Sequence, residues 1–342
     1  MKNIDVSRLV NLGVVPARRF FAATDSLAEL TASHGRRTFL AAFPSDRVLS
    51  IGLYQDAEID LEEAATRYPW PMLRRSVGGH EMSVVPGTLL FSMIIPQDDA
   101  ENSITRACRG MVPSLVATCR SYGVDAHFTP PDSVRYHRIL FSAVYAGCVG
   151  NALVLTGTLP CTSEEPGGRN AVEVSLSGIS KGAVGPAEVL DVFVAKLGEQ
   201  CRTEFREERL SPAEEAAINQ KVLAGSESEP RRKPQRAELR ERARRDPRLD
   251  LREAQFTTAG GRTIGLSLLL RGEVIETVAF SGDFVFYRDC LSDLETALHG
   301  VPAEWDELMT VLENYYIINQ VDSPGVTPAD WVSAIDAATG ML

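Results

Sequence analysis

The segment that constrains the fold most joins two arginines, a glycine pair and an apolar run, in the order RRSVGGHEMSVVPGTLLFS. Arg74 and Arg75 are permanently charged planar donors that suit a carboxylate or a phosphate. Gly78 and Gly79 lack a Cβ, so the backbone there can take a positive φ and let a ligand or another chain segment come close. The run Thr88–Ile95 has the apolar, β-branched and aromatic bias of a buried strand. The residues alone therefore favour a turn that leads into a core strand, with arginines at the surface.

This segment resembles the signature RRxSGGGxVxHDxGNLxFS of the lipoate-protein ligases and aligns with it without a gap. The residues kept are Arg74, Arg75, Gly78, Gly79, Gly87, Leu89, Phe91 and Ser92. The departures are Val77 for Ser, His80 for the third Gly, Val84 and Val85 for His-Asp, and Thr88 for Asn. The frame of the signature is thus kept, while part of its chemistry is replaced.

The resemblance implies a fold that mixes helices and strands, α/β in the broad sense and α+β in the narrower one. Its main part is the helix-flanked mixed sheet of the biotin and lipoate ligases, and a second, small α+β domain accompanies it. The expected division is a catalytic-type domain over 1–223, a basic linker over 224–255 and an accessory domain over 256–342. Within the last, SGDFVF and LSDLETALHG resemble the accessory domain of bacterial ligases. Arginines accumulate in the linker, and a solvated hinge is favoured over a basic strip that attracts an acidic acceptor domain or a phosphate. Residues Ala237–Arg245 are the part of this linker that could form a helix.

Apolar periodicity and turn residues predict the elements of the first domain. Helices are predicted over Ala17–Thr31, Ala100–Tyr122 and Pro186–Phe205 and from Ser211 onward, and strands over Arg37–Phe43, Arg47–Leu53, Asn151–Leu159 and Ala171–Ile179. The second helix is predicted to begin at Asn102 or Ser103 and to be kinked or divided at Pro113, which lacks a backbone N–H.

Length and charge limit the classes of function. A chain of 342 residues is long enough for two domains, and a formal charge of −11 argues against nucleic acid as a partner. The N-terminal sequence has no apolar core of signal-peptide length and no later run is long enough to cross a membrane, so we expect a cytoplasmic protein without membrane contact. Six scattered cysteines without metal-ligand spacing indicate reduced, mostly structural thiols.

A second segment, Gly123–Ala143, resembles the ligase motif NDxxxxGRKISGSA, whose lysine contacts the acyl carboxylate and the adenylate phosphate. Aligned on Ser142 and Ala143, Arg138 stands at the position of the lysine and Asp132 at that of the aspartate. An ammonium is a compact point charge, whereas a guanidinium is wider and forked. The positive charge is therefore kept with a different geometry, and the residues alone favour a surface arginine.

Lipoate-protein ligases use ATP with Mg²⁺ to activate lipoate or octanoate as an acyl adenylate, and then transfer the acyl group to a lysine of a lipoyl domain. Such a site gathers cations and backbone donors around oxyanions and offers an apolar slot. The resemblance implies the same substrates here, with a lipoyl-domain acceptor protein as partner. The implied site consists of Arg138 as the catalytic cation, with Arg74, Arg75, Gly78, Gly79, His80, Asp132, Ser142 and Thr158 as substrate or nucleotide ligands, and no protein metal site.

The replaced residues leave a second hypothesis open. Loss of one well-placed cation can lower the rate of such a reaction by orders of magnitude. The chain would then be a catalytically silent homologue that binds a lipoyl domain, an acyl group or an intact ligase.

A third hypothesis is a thiol acyltransferase, because related octanoyl transferases use a cysteine of a CF pair just before the second motif. His127-Phe128 occupies that place, so this hypothesis ranks below the other two unless Cys148 forms a thioester. Three histidines fall near the presumed site, and loop histidines are usually ordinary polar residues. His80 is the strongest candidate of the three, because it lies inside the glycine loop; the others are His127 and His137.

Overall fold

The computed structural model describes residues 5–56, 69–97, 103–162, 174–180, 182–224 and 235–340. The strands are β1 (Asp5–Val15), β2 (Thr38–Pro44), β3 (Val48–Ile51), β4 (Met72–Arg74), β5 (Met82–Val84), β6 (Thr88–Pro96), β7 (Ala126–Thr129), β8 (Ser133–Tyr136), β9 (Ile139–Val149), β10 (Ala152–Pro160), β11 (Thr203–Glu207), β12 (Leu249–Thr257), β13 (Thr263–Arg271) and β14 (Val274–Gly282). The helices are α1 (Ala17–His34), α2 (Ile104–Ser121), α3 (Leu176–Ser180), α4 (Pro186–Cys201), α5 (Pro212–Ala224), α6 (Gln235–Arg245), α7 (Leu291–Ala297), α8 (Trp305–Asn319) and α9 (Pro328–Thr339).

Eight strands form a mixed sheet in the order β11-β1-β2-β6-β10-β9-β8-β7. β1 runs parallel to β11 and β2, and the other neighbours are antiparallel. The strand predicted after the glycine pair is β6, where Phe91 pairs with Ala41 on one side and Gly157 on the other. The first sequence motif therefore leads into the middle of the sheet.

Side chains of β6 alternate between two cores, one on each face of this sheet. Leu89 and Phe91 pack with α2 and α4, whereas Leu90 and Ile94 pack with α1 and α5. The alternation follows from the two-residue period of a strand. Each fully buried side chain of this size contributes about 2 kcal/mol through the area it removes from water.

The second unit packs helices α7, α8 and α9 against the sheet β12-β13-β14. Its centre is Trp331, which is 0% exposed and lies 4.8 Å from the ring of Phe280 and 5.0 Å from that of Phe284, between centroids. On the other face, Leu239 of α6 packs against Leu269. The predicted class, a mixed sheet flanked by helices with a small second unit, is confirmed. No helix in the described ranges has both the length and the apolarity to cross a membrane.

The two units share buried side chains and backbone hydrogen bonds. Val285 and Tyr287, which follow β14, are buried in the core of the eight-stranded sheet, and Tyr54, which follows β3, is buried in the core of the second unit. The amide of Cys148 donates to the carbonyl of Tyr287 at 2.9 Å, and that of Gly282 donates to Tyr54 at 3.0 Å. The units are therefore packed together as one body.

The strand predicted over Ala171–Ile179 is wrong, because its described part forms the short helix α3. Ser175 accounts for the difference. Its carbonyl accepts from the amide of Ile179 at 3.1 Å, and its hydroxyl accepts from the amide of Gly178 at 3.2 Å. These local bonds compete with pairing in a sheet. Residues 171–173 lie outside the described part of the chain.

Helix α2 continues through Pro113 and is not divided there. Its N-cap is Ser103, whose hydroxyl accepts from the amide of Arg106 at 3.4 Å. The alternative cap, Asn102, lies outside the described residues.

Much of the segment predicted as a linker is folded. Helix α6 occupies its middle, and β12 pairs with β13 from Leu249↔Arg271 to Thr257↔Thr263. A linker extending to residue 255 is therefore wrong for the described part, 235–255. The charged composition of this segment was misleading because β12 is an edge strand with mostly exposed side chains. Its charged residues therefore resemble those of a solvated segment.

Candidate functional site

A small sheet of order β4-β3-β5 holds the twin-arginine turn. Arg74 ends β4, and its Nη1 donates to three carbonyl oxygens at distances of 2.7–3.2 Å. The three acceptors are Gly52, Leu53 and Gln55. The guanidinium therefore ties the end of β4 to the turn that follows β3.

Arg75 is 2% exposed and is held inside the same turn. Its Nη2 donates to the carbonyl oxygens of Gly78 at 2.8 Å and His80 at 2.5 Å, and its Nη1 donates to that of Ser50 at 3.2 Å. Its Cζ lies 4.5 Å from the ring centroid of Tyr145, in a cation–π contact. Burial lowers the pKa of Arg75 to about 10, so the group stays charged at neutral pH. Its donors serve backbone carbonyls of its own loop.

Protein atoms occupy the space beside the glycine pair. A Cβ on Gly78 would lie 2.3 Å from the carbonyl oxygen of Phe284, and a Cβ on Gly79 would lie 2.2 Å from Cδ1 of Tyr145. Gly79 also has a φ of +92° and donates its amide to Phe284 at 3.1 Å. Both glycines are thus required by close approach of other segments of the same chain.

His80 links this loop to the second unit. Its Nε2 lies 2.5 Å from Oδ2 of Asp283, and its Nδ1 lies 3.9 Å from Oε2 of Glu81. Burial lowers the pKa of His80, but the hydrogen bonds to the two carboxylates outweigh burial and raise the pKa to about 9. Burial raises the pKa of Glu81, and the bonds from His80 and Gln55 outweigh it and lower the pKa to about 2. At neutral pH an imidazolium therefore lies between two carboxylates.

Asp132, the motif aspartate, forms a buried ion pair with Arg262 of the second unit. Asp132 is 5% exposed and Arg262 is 2% exposed. A second nitrogen of Arg262 donates to the carbonyl of Asp283 at 3.3 Å. Burial lowers the pKa of Arg262, but the charges of Asp132 and Asp283 outweigh it and raise the pKa. Hence Asp132 already has a fixed cation partner from within the chain.

Arg138 lies on the exposed turn between β8 and β9. The preceding His137 has a φ of +53°, and Arg135 donates to the carbonyl of Arg138 at 3.0 Å. The Arg138 side chain forms no ion pair with any described residue. Asp132 precedes β8 and Arg138 follows it, so the length of this four-residue strand, about 13 Å at about 3.3 Å per residue, lies between them.

Ser142 and Thr158 meet across neighbouring strands. The Ser142 hydroxyl donates to the carbonyl of Thr158 at 2.6 Å. Ser142 is buried and Thr158 is half-buried.

The structure thus brings Gly78, Gly79, His80 and Asp132 against the second unit and leaves Arg138 on a separate turn. Three residues that sequence reasoning missed make these contacts: Arg262, Asp283 and Phe284. Asp283 and Phe284 belong to the SGDFVF segment, so their presence was noticed while their partners were not.

The thiol hypothesis has little support from the geometry. Cys148 is half-buried, and burial raises its pKa to about 11, which leaves little thiolate at neutral pH. His127 is exposed on β7 and pairs through its backbone with Arg135 of β8. Neither residue has the environment of an activated nucleophile or its base.

The basic helix α6 is largely neutralised by acids of its own unit. Arg236 and Arg240 pair with Glu253 at 2.5 and 3.1 Å, and Arg242 pairs with Glu276 at 3.3 Å. These pairs reduce the charge that this helix could offer to an acidic partner.

Among the described residues, those around Gly78, Gly79 and Asp132 do not fit a nucleotide with its metal. Phe284 and Tyr145 fill the space beside Gly78 and Gly79, and Asp132 is paired with Arg262. In the described part of the chain, no three His, Cys, Asp or Glu side chains are grouped so that they could hold a metal ion.

The helix-flanked mixed sheet, with its twin-arginine turn on a small side sheet and a second unit behind it, defines the class of lipoate-ligase-like proteins. The sequence model of the Lipoyl protein ligase A/B catalytic domain matches residues 16–205, more than half of the chain. The chain therefore belongs to the lipoyl protein ligase A/B catalytic domain family, as the sequence signature indicated.

Solved structures of lipoate ligases share the fold at low identity. A lipoate-protein ligase A bound with ATP is 18% identical, with a TM-score of 0.52 over 63% of this chain and 93% of that one. A chain from the structural analysis of a bipartite lipoate protein ligase and its E2 lipoyl domain from Thermoplasma acidophilum is 20% identical, with a TM-score of 0.53 over 67% of this chain and 99% of that one. The P. falciparum protein LipL1 in complex with lipoate is 11% identical with a TM-score of 0.60 over 92% and 98%. No curated protein sequence matches the chain.

Proposed function

We propose that this chain is a catalytically silent member of the lipoate-ligase family that binds a lipoyl domain. An intact ligase is the alternative partner. The observation that carries the proposal is that other segments of the chain close the space beside Gly78 and Gly79, which we call the glycine corner. Gly78 and Gly79 contact Phe284 and Tyr145 at distances that leave no room even for a methyl group.

The charges near the corner support the same proposal. Activation of an acid by ATP needs cations directed at the carboxylate and the α-phosphate. Arg75 donates to its own loop and Arg262 pairs with Asp132, while Arg138 is exposed beyond the far end of β8. If no cation beyond these described arginines gathers both oxyanions, the barrier to adenylate formation stays high.

An active ATP-dependent ligase is the second candidate. Family membership and the neighbours bound with ATP or with lipoic acid favour it. It would use ATP, Mg²⁺ and lipoate or octanoate, and the second unit would have to leave the corner before these could bind.

Pyrophosphate release from ATP, with lipoate or with octanoate, separates the two candidates. We expect no acid-dependent release from the wild type or from the double variant Asp132→Asn/Arg262→Gln. The double variant removes the ion pair between the units without leaving one buried charge unpaired. Release by the wild type would establish an active ligase, and release by the double variant alone would establish a closed but competent one.

Calorimetry with an unmodified lipoyl domain tests the binding half of the proposal. We expect association of equal strength with and without ATP, because the nucleotide has no part in it. Transfer of an acyl group to the acceptor lysine during the titration would contradict the silent reading.

A further inference from the structure

One part of the first unit carries a local surplus of positive charge in this acidic protein. Residues 102–162 hold five arginines, no lysine and only two acidic residues, in a chain whose net charge is −11. One of these acids, Asp132, is already paired with Arg262. The other, Asp125, is exposed between α2 and β7. Within this part of the first unit, the exposed charged side chains are therefore mostly arginines.

Helix α2 supplies a basic stripe. It contains three arginines and no acidic residue. Arg109 and Arg120 are 11 residues apart, which at 3.6 residues per turn places them on one face, about 16 Å apart. Both are exposed, and neither forms an ion pair with a described residue. The arginines of α6, in contrast, are mostly paired with neighbouring acids.

A groove with an apolar floor runs beside this stripe. It lies between α2, α4 and β7, with a volume of about 720 Å³, and its lining includes Pro113, Ala117, Phe128 and Lys196. Phe128 is 47% exposed, so its ring is available to a partner at this groove. The lining also includes Arg120, so the groove and the stripe are continuous. Lys196 pairs with Glu199 at 3.1 Å, which is the one ion pair that the lining residues form with described side chains.

Strand β7 adds backbone hydrogen-bonding capacity to the same surface. It is the last strand of the eight-stranded sheet and, among the described strands, pairs only with β8. The outer edge of such a strand can accept another strand. We name the surface formed by Arg109, Pro113, Arg120, Phe128 and β7 the basic edge.

We propose that the basic edge docks an acidic protein domain, which places an apolar side chain against Phe128 and carboxylates against Arg109 and Arg120. The inference rests on the proposed function and gives it a location: the acidic domain is the lipoyl domain. Charge complementarity selects this occupant, because an acidic protein needs a local basic surface to attract another acidic protein. An aromatic side chain at the centre with charges at the rim is the usual distribution of binding energy.

The test compares charge reversals that change the net charge equally. The surface variant is Arg109→Glu/Arg120→Glu, and the matched control is Arg18→Glu/Arg244→Glu, whose arginines are exposed on α1 and α6. Calorimetry with an unmodified lipoyl domain is run at low salt and at about 0.15 M ionic strength. We expect the surface variant to bind at least about tenfold more weakly and with a smaller salt dependence, and the control to bind within about twofold of the wild type.

A second pair of variants tests the apolar part of the basic edge. We expect Phe128→Ala to weaken binding about tenfold, as for a central aromatic side chain, and Ile318→Ala to have no effect. Ile318 is 77% exposed on α8 and serves as the matched apolar control. Thermal melting of every variant tests whether the fold is intact. We expect it to be, because substitutions at exposed positions usually change the free energy of unfolding little.

The outcomes separate the location from the function. Wild-type binding that both surface variants retain in full would overturn the basic edge and leave the proposed function standing. Absence of wild-type binding would overturn both. Binding of a single-stranded RNA oligonucleotide that the surface variants alone lose, with lipoyl-domain binding unchanged, would also overturn the proposal and assign the surface to nucleic acid.

Discussion

At Arg75, donors that would suit a phosphate are directed at carbonyl oxygens of its own loop. Each buried carbonyl left without a donor would cost about 1–3 kcal/mol, so the arginine stabilises the turn whether or not a ligand ever binds. The same residue also stacks on Tyr145, which in turn fills the space beside Gly79. The signature residues can therefore be required for the conformation of this loop as much as for a chemical activity.

His80 gives a pH prediction. Its pKa is about 9 in the folded protein and about 6.5 when unfolded, so its stabilisation is complete below about pH 6.5 and is lost as the pH rises to about 9. Because 41% of the side chain is exposed, solvent screening reduces the effect to about 1 kcal/mol. Urea unfolding of the wild type and of His80→Gln should therefore converge between pH 6.5 and 9.

His299→Gln serves as the control for this measurement, because His299 is exposed and far along the chain from the glycine loop. A stability difference between the wild type and His80→Gln that stays constant over this pH range would contradict a charged His80 between Asp283 and Glu81.

At the scale of elements, the loop that follows β14 is what closes the corner. Phe284 accepts from Gly79 through its backbone, and its ring packs on Trp331 and stacks on Tyr54 at 5.1 Å. The loop is therefore held from both sides, by the first unit and by the core of the second. A close approach of backbone to backbone has little freedom to adjust.

Gly78→Ala tests this contact. The added methyl group would lie 2.3 Å from the Phe284 carbonyl oxygen, so we expect a loss of about 3 kcal/mol or more in the free energy of unfolding. Gly185→Ala is the matched control: like Gly78 it has no positive φ, and its Cβ would meet nothing closer than 4.0 Å. Chemical denaturation measures both. Equal, small losses would mean that the loop after β14 can move away from the corner at little cost.

Much of the architecture could be predicted because it depends on local patterns. The apolar run of β6 and the helical spacing of α1, α2 and α4 are recorded in adjacent residues. The partner of Asp132 could not be predicted, because Arg262 is 130 positions away and only the folded chain brings them together. Likewise β12 is recognisable only through its pairing with β13, since its own exposed side chains are charged.

At the scale of the whole molecule, the two cores depend on each other. Val285 and Tyr287 complete the core of the first unit, and burial of two such side chains is worth about 5 kcal/mol. That is a large share of the roughly 5–15 kcal/mol that stabilises a typical domain.

A chain ending at residue 224 is therefore expected to lose cooperative thermal unfolding and to bind a hydrophobic dye, as partly packed states do. Adding residues 235–342 as a separate chain should restore the cooperative transition. Circular dichroism and dye fluorescence follow both steps. An isolated first unit that melts as sharply, and at the same temperature, as the full chain would show that the second unit is dispensable.

The Asp132–Arg262 pair also determines how well an anion from solution can compete for Arg262. Asp132 is tethered, so it meets Arg262 at an effective concentration of about millimolar or higher, however dilute the protein is. A small carboxylate or phosphate at micromolar concentration is therefore a weak competitor of Asp132 for Arg262. Screening of ligands against the resting molecule thus selects against small anions, and crystals soaked with them should show the aspartate still in place.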